Sequence, residues 1–261
     1  MSQSWVARGS EWCGLARSLF VYWRPGRQPG LRRLYRRFVS EGDVVFDLGA
    51  HLGDRSVAFA SLGATVIALE PQPQVARWLK RLVGRNERIM VRTEAVGASA
   101  GTARLAISRK APTVSSLSAP WRDAMKESHP GFSGVRWEDS VDVPVVTLDE
   151  LIETYGLPSF CKIDVEGFEA EVLAGLSLAL PALSVEFVAG QIPVAEACVR
   201  RVCELGRYRF NVILGEGRHF SFDPWEDEET IIAWLRDGAD GASSGDLYAQ
   251  LQLDQREPLD D

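Results

Sequence analysis

The 261-residue chain lacks several features that would classify it at a glance. Its four cysteines, Cys13, Cys161, Cys198 and Cys203, form no C-x-x-C pair and imply no disulfide framework, so a reducing cytoplasm is the expected compartment. No apolar run approaches the roughly 20 residues that span a bilayer. The short apolar stretch LARSLFVYWRPG lies among arginines and has no small-residue cleavage pattern, so it is not read as a signal peptide. There is no phosphate loop, no zinc-ligand set and no serine elbow. Net positive charge is confined to one end: residues 1–40 hold eight arginines and one acid, whereas residues 223–261 hold twelve acids and two arginines. Such an acidic body argues against extended nucleic-acid binding, whose affinity rests on neutralising phosphates.

What is present suffices for one domain with a full core, since 46% of the residues are hydrophobic. Strand and helix patterns alternate along the chain, which predicts an α/β fold with a doubly wound, mostly parallel sheet. Strands are expected at Val44–Asp47, Thr65–Leu69, Ile89–Arg92, Phe160–Asp164 and Leu183–Phe187. Tyr208–Leu214 and His219–Phe222, on either side of Gly215-Glu216-Gly217, read as a terminal antiparallel pair. Thr147 to Glu150 form a capping box that starts a helix. A largely polar, Pro- and Gly-containing stretch of about 33 residues separates two extended segments, Thr102–Ile107 and Val141–Val146. A connection of that length inside a domain is usually functional or disordered, and residues 108–140 are expected to form a lid or substrate-recognition insertion. The basic, aromatic segment 1–40 is expected to be helical, most simply as a solvated helix pair contacting the domain edge; closing over substrate, touching an anionic membrane surface, or packing on the acidic end are the alternatives.

The most informative stretch is VVFDLGAHLGDRSV, residues 44–57, where a buried strand meets a helix across Gly49 and Gly53. This design holds nucleotide-like cofactors at a helix N-terminus. Glu70, at the end of the next strand, lies about 20 residues beyond the turn, the interval at which a carboxylate meets ribose hydroxyls. A 2′-phosphate would be repelled there. Counted from Gly49, the third and sixth positions are His51 and Asp54, which breaks the G-x-G-x-x-G spacing of a pyrophosphate site. The pattern D-x-G-A-x-x-G suits S-adenosylmethionine instead, whose ammonium seeks acids or carbonyls and whose carboxylate seeks backbone N–H groups.

FDLGAHLGDRS, ALEPQP, EAVGASAG, VPVVTLDEL, KIDVEGFEAEVLAGL and GDLYA resemble, in order, the blocks of the FkbM family of S-adenosylmethionine-dependent methyltransferases, over about residues 38–249. The resemblance implies a Rossmann-like class I methyltransferase fold. It also implies O-methylation of a hydroxyl on a sugar, glycan, lipid headgroup or polyketide-like metabolite. One departure is His51, where the family commonly has Asn; both residues tolerate a left-handed backbone. On this basis residues 41–249 form the methyltransferase domain and 250–261 an acidic tail.

The expected cofactor contacts are Asp47, Gly49, Ala50, His51, Gly53, Glu70 and Pro71, with Glu94 and Ala95 near the adenine. Asp47 has the alternative of fixing the turn without touching cofactor. Ligands of open α/β sheets bind outside strand carboxyl ends, so Asp164, Glu166 and Glu186 lead as groups that receive the acceptor proton. Lys162, two residues before Asp164, can pair with it and tune it. His51 and, less favoured, His129 and His219 are the histidine candidates for a base. A divalent cation on the three acids is possible but not favoured over a metal-free site. Two other functions stay open: an NAD-dependent oxidoreductase on the same sheet, and a non-catalytic scaffold that binds S-adenosylmethionine. The sequence leaves the oligomeric state unassigned.

Overall fold

The computed structural model describes residues 19–20, 22–109, 111–128 and 134–252. Helix α1 (Arg27–Tyr35) precedes strand β1 (Val44–Leu48), helix α2 (Asp54–Ser61), strand β2 (Thr65–Leu69), helix α3 (Pro73–Val83) and strand β3 (Ile89–Arg92). After an excursion come helix α5 (Leu148–Tyr155), strand β7 (Phe160–Ile163), helix α6 (Glu169–Ala174), strand β8 (Ala182–Val188) and helix α7 (Ile192–Leu205). Strand β9 (Tyr208–Leu214), helix α8 (Glu228–Arg236) and strand β10 (Ser244–Leu251) finish the main sheet. The excursion holds strands β4 (Ala95–Val96), β5 (Gly101–Ile107) and β6 (Asp139–Val146), with helix α4 (Ala119–Ser128) between the last two.

The main sheet runs β3-β2-β1-β7-β8-β10-β9. Pairings are parallel from β3 through β8, and β10 is antiparallel to both β8 and β9. The central strands are continuous apolar runs because helices cover both faces; all four residues of β7 are buried. The capping box is formed: Thr147 Oγ1 accepts from Glu150 N at 3.1 Å, and Glu150 Oε2 accepts from Thr147 N at 2.9 Å. Chain order reverses at β1, which lies between β2 and β7, so a crevice opens beyond its carboxyl end.

The terminal antiparallel pair is present, but its members differ from those the sequence suggested. His219–Phe222 are not a strand; β9 pairs with β10, in register Tyr208 to Leu251 and Leu214 to Gly245. Helix α8 lies between the two, capped by Asp227, whose side chain accepts from Thr230 N at 2.9 Å. Its acids mask a helical spacing of Ile231, Ile232 and Leu235, which are the residues it buries. Strand β10 runs through Leu251, past residue 249. The extended segments on either side of the insertion stand apart from the main sheet as a second one, β4-β6-β5.

Helix α1 turns Leu31, Leu34 and Tyr35 inward while Arg32, Arg33, Arg36 and Arg37 stay exposed. Trp5 and Trp12 lie outside the described residues. No helix among the described residues is long and apolar enough to cross a membrane. Beneath α1 the aromatic rings converge on Phe160, which is fully buried: Phe38 stacks on it at 5.1 Å between centroids, with Tyr35 at 5.6 Å and Phe59 at 5.8 Å. Phe160→Ala is expected to lower stability by about 3–5 kcal/mol, since truncating a buried aromatic leaves a cavity. Urea denaturation of the variant beside the wild type measures this, and an unchanged midpoint would contradict the packing described.

Candidate active site

The turn after β1 is built from backbone that side chains would obstruct. Gly49, His51 and Gly53 all have positive φ, at 75°, 49° and 80°. A Cβ on Gly49 would lie 1.7 Å from the Asp164 carbonyl oxygen, and one on Gly53 would lie 2.6 Å from Leu79 Cδ1. The first glycine therefore lets two strand ends meet, and the second lets α2 start against α3. Leu69 O accepts hydrogen bonds from both Gly49 N and Ala50 N, at 3.0 and 2.9 Å. Glu70 closes the arrangement: its Oε2 accepts from His51 N at 3.0 Å and its Oε1 from Gln72 N at 2.9 Å.

Beyond this turn lies a cleft of about 920 Å³ measured to its open mouth. It gathers most of the expected site residues: Asp47, Gly49, Ala50, His51, Glu70, Pro71, Glu94, Ala95, Lys162, Asp164 and Glu166. Gly53 is not on its wall, being packed against Leu79 and Val83. Glu186 lines a separate small pocket with Trp121 and Glu169. Carboxylate oxygens of Asp164, Glu166 and Glu186 still fall within 4.8 Å of one another. That spacing would suit a cation, and Lys162 already supplies a positive charge there, with Nζ 2.6 Å from Asp164 Oδ2. His129 lies outside the described residues, and His219 is exposed on the loop after β9 and does not line the cleft.

Burial governs the electrostatics. Glu70 is lifted to about 7 by loss of solvent, against the two backbone N–H groups that favour its charge. Glu169 is likewise raised to about 7, although its Oε1 accepts from Val165 N and Gly167 N. Burial and the neighbouring Asp164 raise Glu166 and Glu186 well above the ordinary carboxylate range. Asp164 moves the other way: burial opposes its charge, but Lys162 and Arg55 outweigh it and hold the carboxyl below its usual value. Desolvation lowers His51 to about 4, so its imidazole is neutral at physiological pH and a weak base. Burial raises Asp47; its Oδ2 accepts from Ser56 Oγ while its Oδ1 has no hydrogen-bond partner. Glu94, paired with Arg92, lies low.

Several wall residues escaped the sequence reading. Tyr22 closes one side, its ring 5.4 Å from that of His51 and 5.2 Å from the Arg27 guanidinium. Arg27 anchors this strap, with Nε 2.6 Å from Asp54 Oδ2 and Nη2 2.8 Å from Glu216 Oε2. Nothing local in the sequence joins residues 27 and 216; only the fold does. Arg55 is a cleft residue too, and its place in the first turn of α2 was the available signal. From the insertion, Thr113, Ser115 and Leu117 reach the wall, held by Ser116 Oγ, which donates to Glu166 O at 2.6 Å.

A parallel sheet reversed only at β10, with a glycine turn at its switch point, defines a class I methyltransferase fold. The sequence model described as "Methyltransferase FkbM domain" matches residues 47–240. The chain belongs to the FkbM methyltransferase family. It is 31% identical over 173 residues to the hexuronic acid methyltransferase AglP of Haloferax volcanii, a match that takes in 64% of this chain and 62% of that protein. Among solved structures it is similar to a precorrin-6y C5,15-methyltransferase from Geobacter metallireducens, with TM-score 0.45, 11% identity and coverage of 87% of this chain and 86% of that one. An O-methyltransferase from Bacillus cereus in complex with SAH gives TM-score 0.44 and 13% identity, over 88% and 82% of the two chains.

The Glu70 carboxyl carbon is expected to titrate at about 7 in the cofactor-free protein rather than at 4.5. A folded value above the unfolded one means that Glu70 favours the fold at low pH, and that this contribution is lost as the pH rises from about 4.5 through about 7. Carbon-detected NMR of labelled protein reads the titration directly; an inflection at the ordinary glutamate value would contradict the burial.

Proposed function

We propose that the protein transfers a methyl group from S-adenosylmethionine to a carbohydrate hydroxyl. One observation carries this reading: Glu70 follows β2 and the Lys162–Asp164 pair closes β7, on either side of β1, and both line one cleft with the bare backbone of Gly49 and Ala50 at the end of β1. Each Glu70 oxygen accepts only one backbone hydrogen bond, so lone pairs remain for ribose hydroxyls. Asp47 Oδ1, buried and unpartnered, is an acceptor suited to an ammonium donor. The turn places His51 and Asp54 at the third and sixth positions from Gly49, where a pyrophosphate loop has glycines, which disfavours a dinucleotide. The acceptor class is supported by the hexuronic acid methyltransferase relative and by the density of carboxylates, which bind sugar hydroxyls well.

When bound, S-adenosylmethionine supplies an electrophilic methyl group. The protein's task is to align the acceptor oxygen and exclude water, because transfer is an in-line displacement. Asp164, kept ionised by Lys162, accepts a hydrogen bond from the acceptor hydroxyl and turns its oxygen lone pair toward the methyl. When the methyl leaves sulfur for the acceptor oxygen, the hydroxyl proton would become strongly acidic, and the Asp164 carboxylate, though of depressed pKa, would be base enough to take it. Lys162 holds that carboxylate in place through its 2.6 Å contact. Tyr22 and the segment from Thr113 to Leu117 narrow the mouth of the cleft.

Glu70→Ala is expected to weaken calorimetric affinity for S-adenosylmethionine by about tenfold or more, the loss of charge-assisted hydrogen bonds to the ribose. Asp164→Asn should bind the cofactor as the wild type does yet transfer labelled methyl to a panel of sugar glycosides about 10²-fold more slowly. Equal affinity of Glu70→Ala and wild type would remove the ribose assignment, and full turnover by Asp164→Asn would remove the proton acceptor.

A further inference from the structure

Arg55 is a cation, largely shielded from solvent, whose side chain makes no hydrogen bond among the described residues. Its side chain is 13% exposed and lines the cleft. The nearest acids, Asp246 at 3.6 Å and Asp54 at 3.9 Å, are at ion-pair distance without a hydrogen bond, and its Nε is buried with no partner. Adjacent Arg27 shows the contrast: it takes Asp54 Oδ2 at 2.6 Å and Glu216 Oε2 at 2.8 Å. Buried polar groups nearly always find partners, and guanidinium donors left unmet inside a cleft await acceptor atoms from a ligand.

The position of Arg55 says which ligand. Glu70 at the end of β2 marks the cofactor half, on one side of β1. Of the acids around Arg55, Asp54 precedes it in the first turn of α2, whereas Asp246 in β10 and Asp164 after β7 lie on the other side of β1. Its planar fork matches a carboxylate, which it can bind through two parallel hydrogen bonds. We propose that Arg55 binds a carboxylate of the acceptor, so that the substrate is an acidic sugar whose carboxylate lies beside the hydroxyl to be methylated. This rests on the carbohydrate reading above and makes Arg55 the residue that selects acidic over neutral acceptors. The surrounding acids oppose an anionic ligand less than their number implies. Lys162 neutralises Asp164, and burial holds Glu166 and Glu186 toward their uncharged forms.

The test is calorimetric binding of methyl β-D-glucuronide and methyl β-D-glucoside, which differ in the carboxylate, to the full chain saturated with S-adenosylhomocysteine. Wild type is expected to prefer the glucuronide by about tenfold or more, the worth of a buried charge-assisted pair. Arg55→Gln should bring that preference to about twofold or less while keeping S-adenosylhomocysteine affinity. Arg55→Lys, which keeps the charge without the fork, should retain part of the preference, and it serves if the glutamine variant does not fold. A wild type that binds the glucuronide no better than the glucoside, or an Arg55→Gln that keeps the preference, overturns the inference. So does an Arg55→Gln that loses S-adenosylhomocysteine affinity alone, which would put the arginine on the cofactor's carboxylate. Absence of S-adenosylhomocysteine binding to the wild type would instead defeat the cofactor assignment beneath it, and the two failures are separable.

Discussion

Where β1 ends, the backbone of Gly49 passes so close to the Asp164 carbonyl that a side-chain carbon would lie 1.7 Å from its oxygen. The same residue and Ala50 both donate to Leu69 O, at the end of the strand on the other side. One short turn thus ties the ends of β2, β1 and β7 together, with glycine required at the point of closest approach. Glu70 follows from the first of those neighbours and Asp164 from the last. Their separation is fixed by three hydrogen-bonded strands rather than by mobile loops. Methyl transfer depends on alignment more than on strong acids or bases, and a sheet-fixed spacing between cofactor and acceptor halves suits it.

Charge is arranged on the same plan. The cleft holds many carboxylates, yet they are not equivalent, because burial lifts those without a cation and Lys162 lowers the one it touches. Asp164 is therefore distinguished from the adjacent Glu166 and Glu186 as the ionised group. Around the rim, Arg27 binds Asp54 and Glu216 and pins the segment bearing Tyr22 against α2. The arginine-rich start of the chain is in this way partly absorbed by structure: α1 buries an aromatic and aliphatic face, and one of its arginines completes the wall behind the cleft. The remaining arginines of α1 face solvent.

Much of the fold was legible because the central strands are apolar runs with clear stops, and because a glycine turn followed by an acid at the next strand end has few other uses. The cleft residues from Asp47 to Pro71 and from Lys162 to Glu166 were legible for the same reason. What the sequence misplaced was the last strand. A glycine pair between two apolar runs imitates a hairpin, while the true partner of β9 lies beyond a helix hidden among acids. Gly53 was assigned from the glycine turn and Glu186 from its place near a strand's carboxyl end; Gly53 packs against Leu79 and Val83, and Glu186 lines a neighbouring pocket while staying within 4.8 Å of Asp164 and Glu166. Tyr22, Arg27 and Arg55 carried no motif. Their roles come from contacts between residues far apart in the chain, which periodicity does not record.

The central claim is that this cleft accepts an adenosyl sulfonium cofactor and refuses a dinucleotide. Calorimetric titration of the purified wild-type chain with S-adenosylmethionine, and separately with NAD, tests it most directly. Saturable one-to-one binding of S-adenosylmethionine with no heat from NAD is the expected result. Binding of NAD in its place would contradict the assignment of the glycine turn and, with it, the roles given to Glu70 and Asp164.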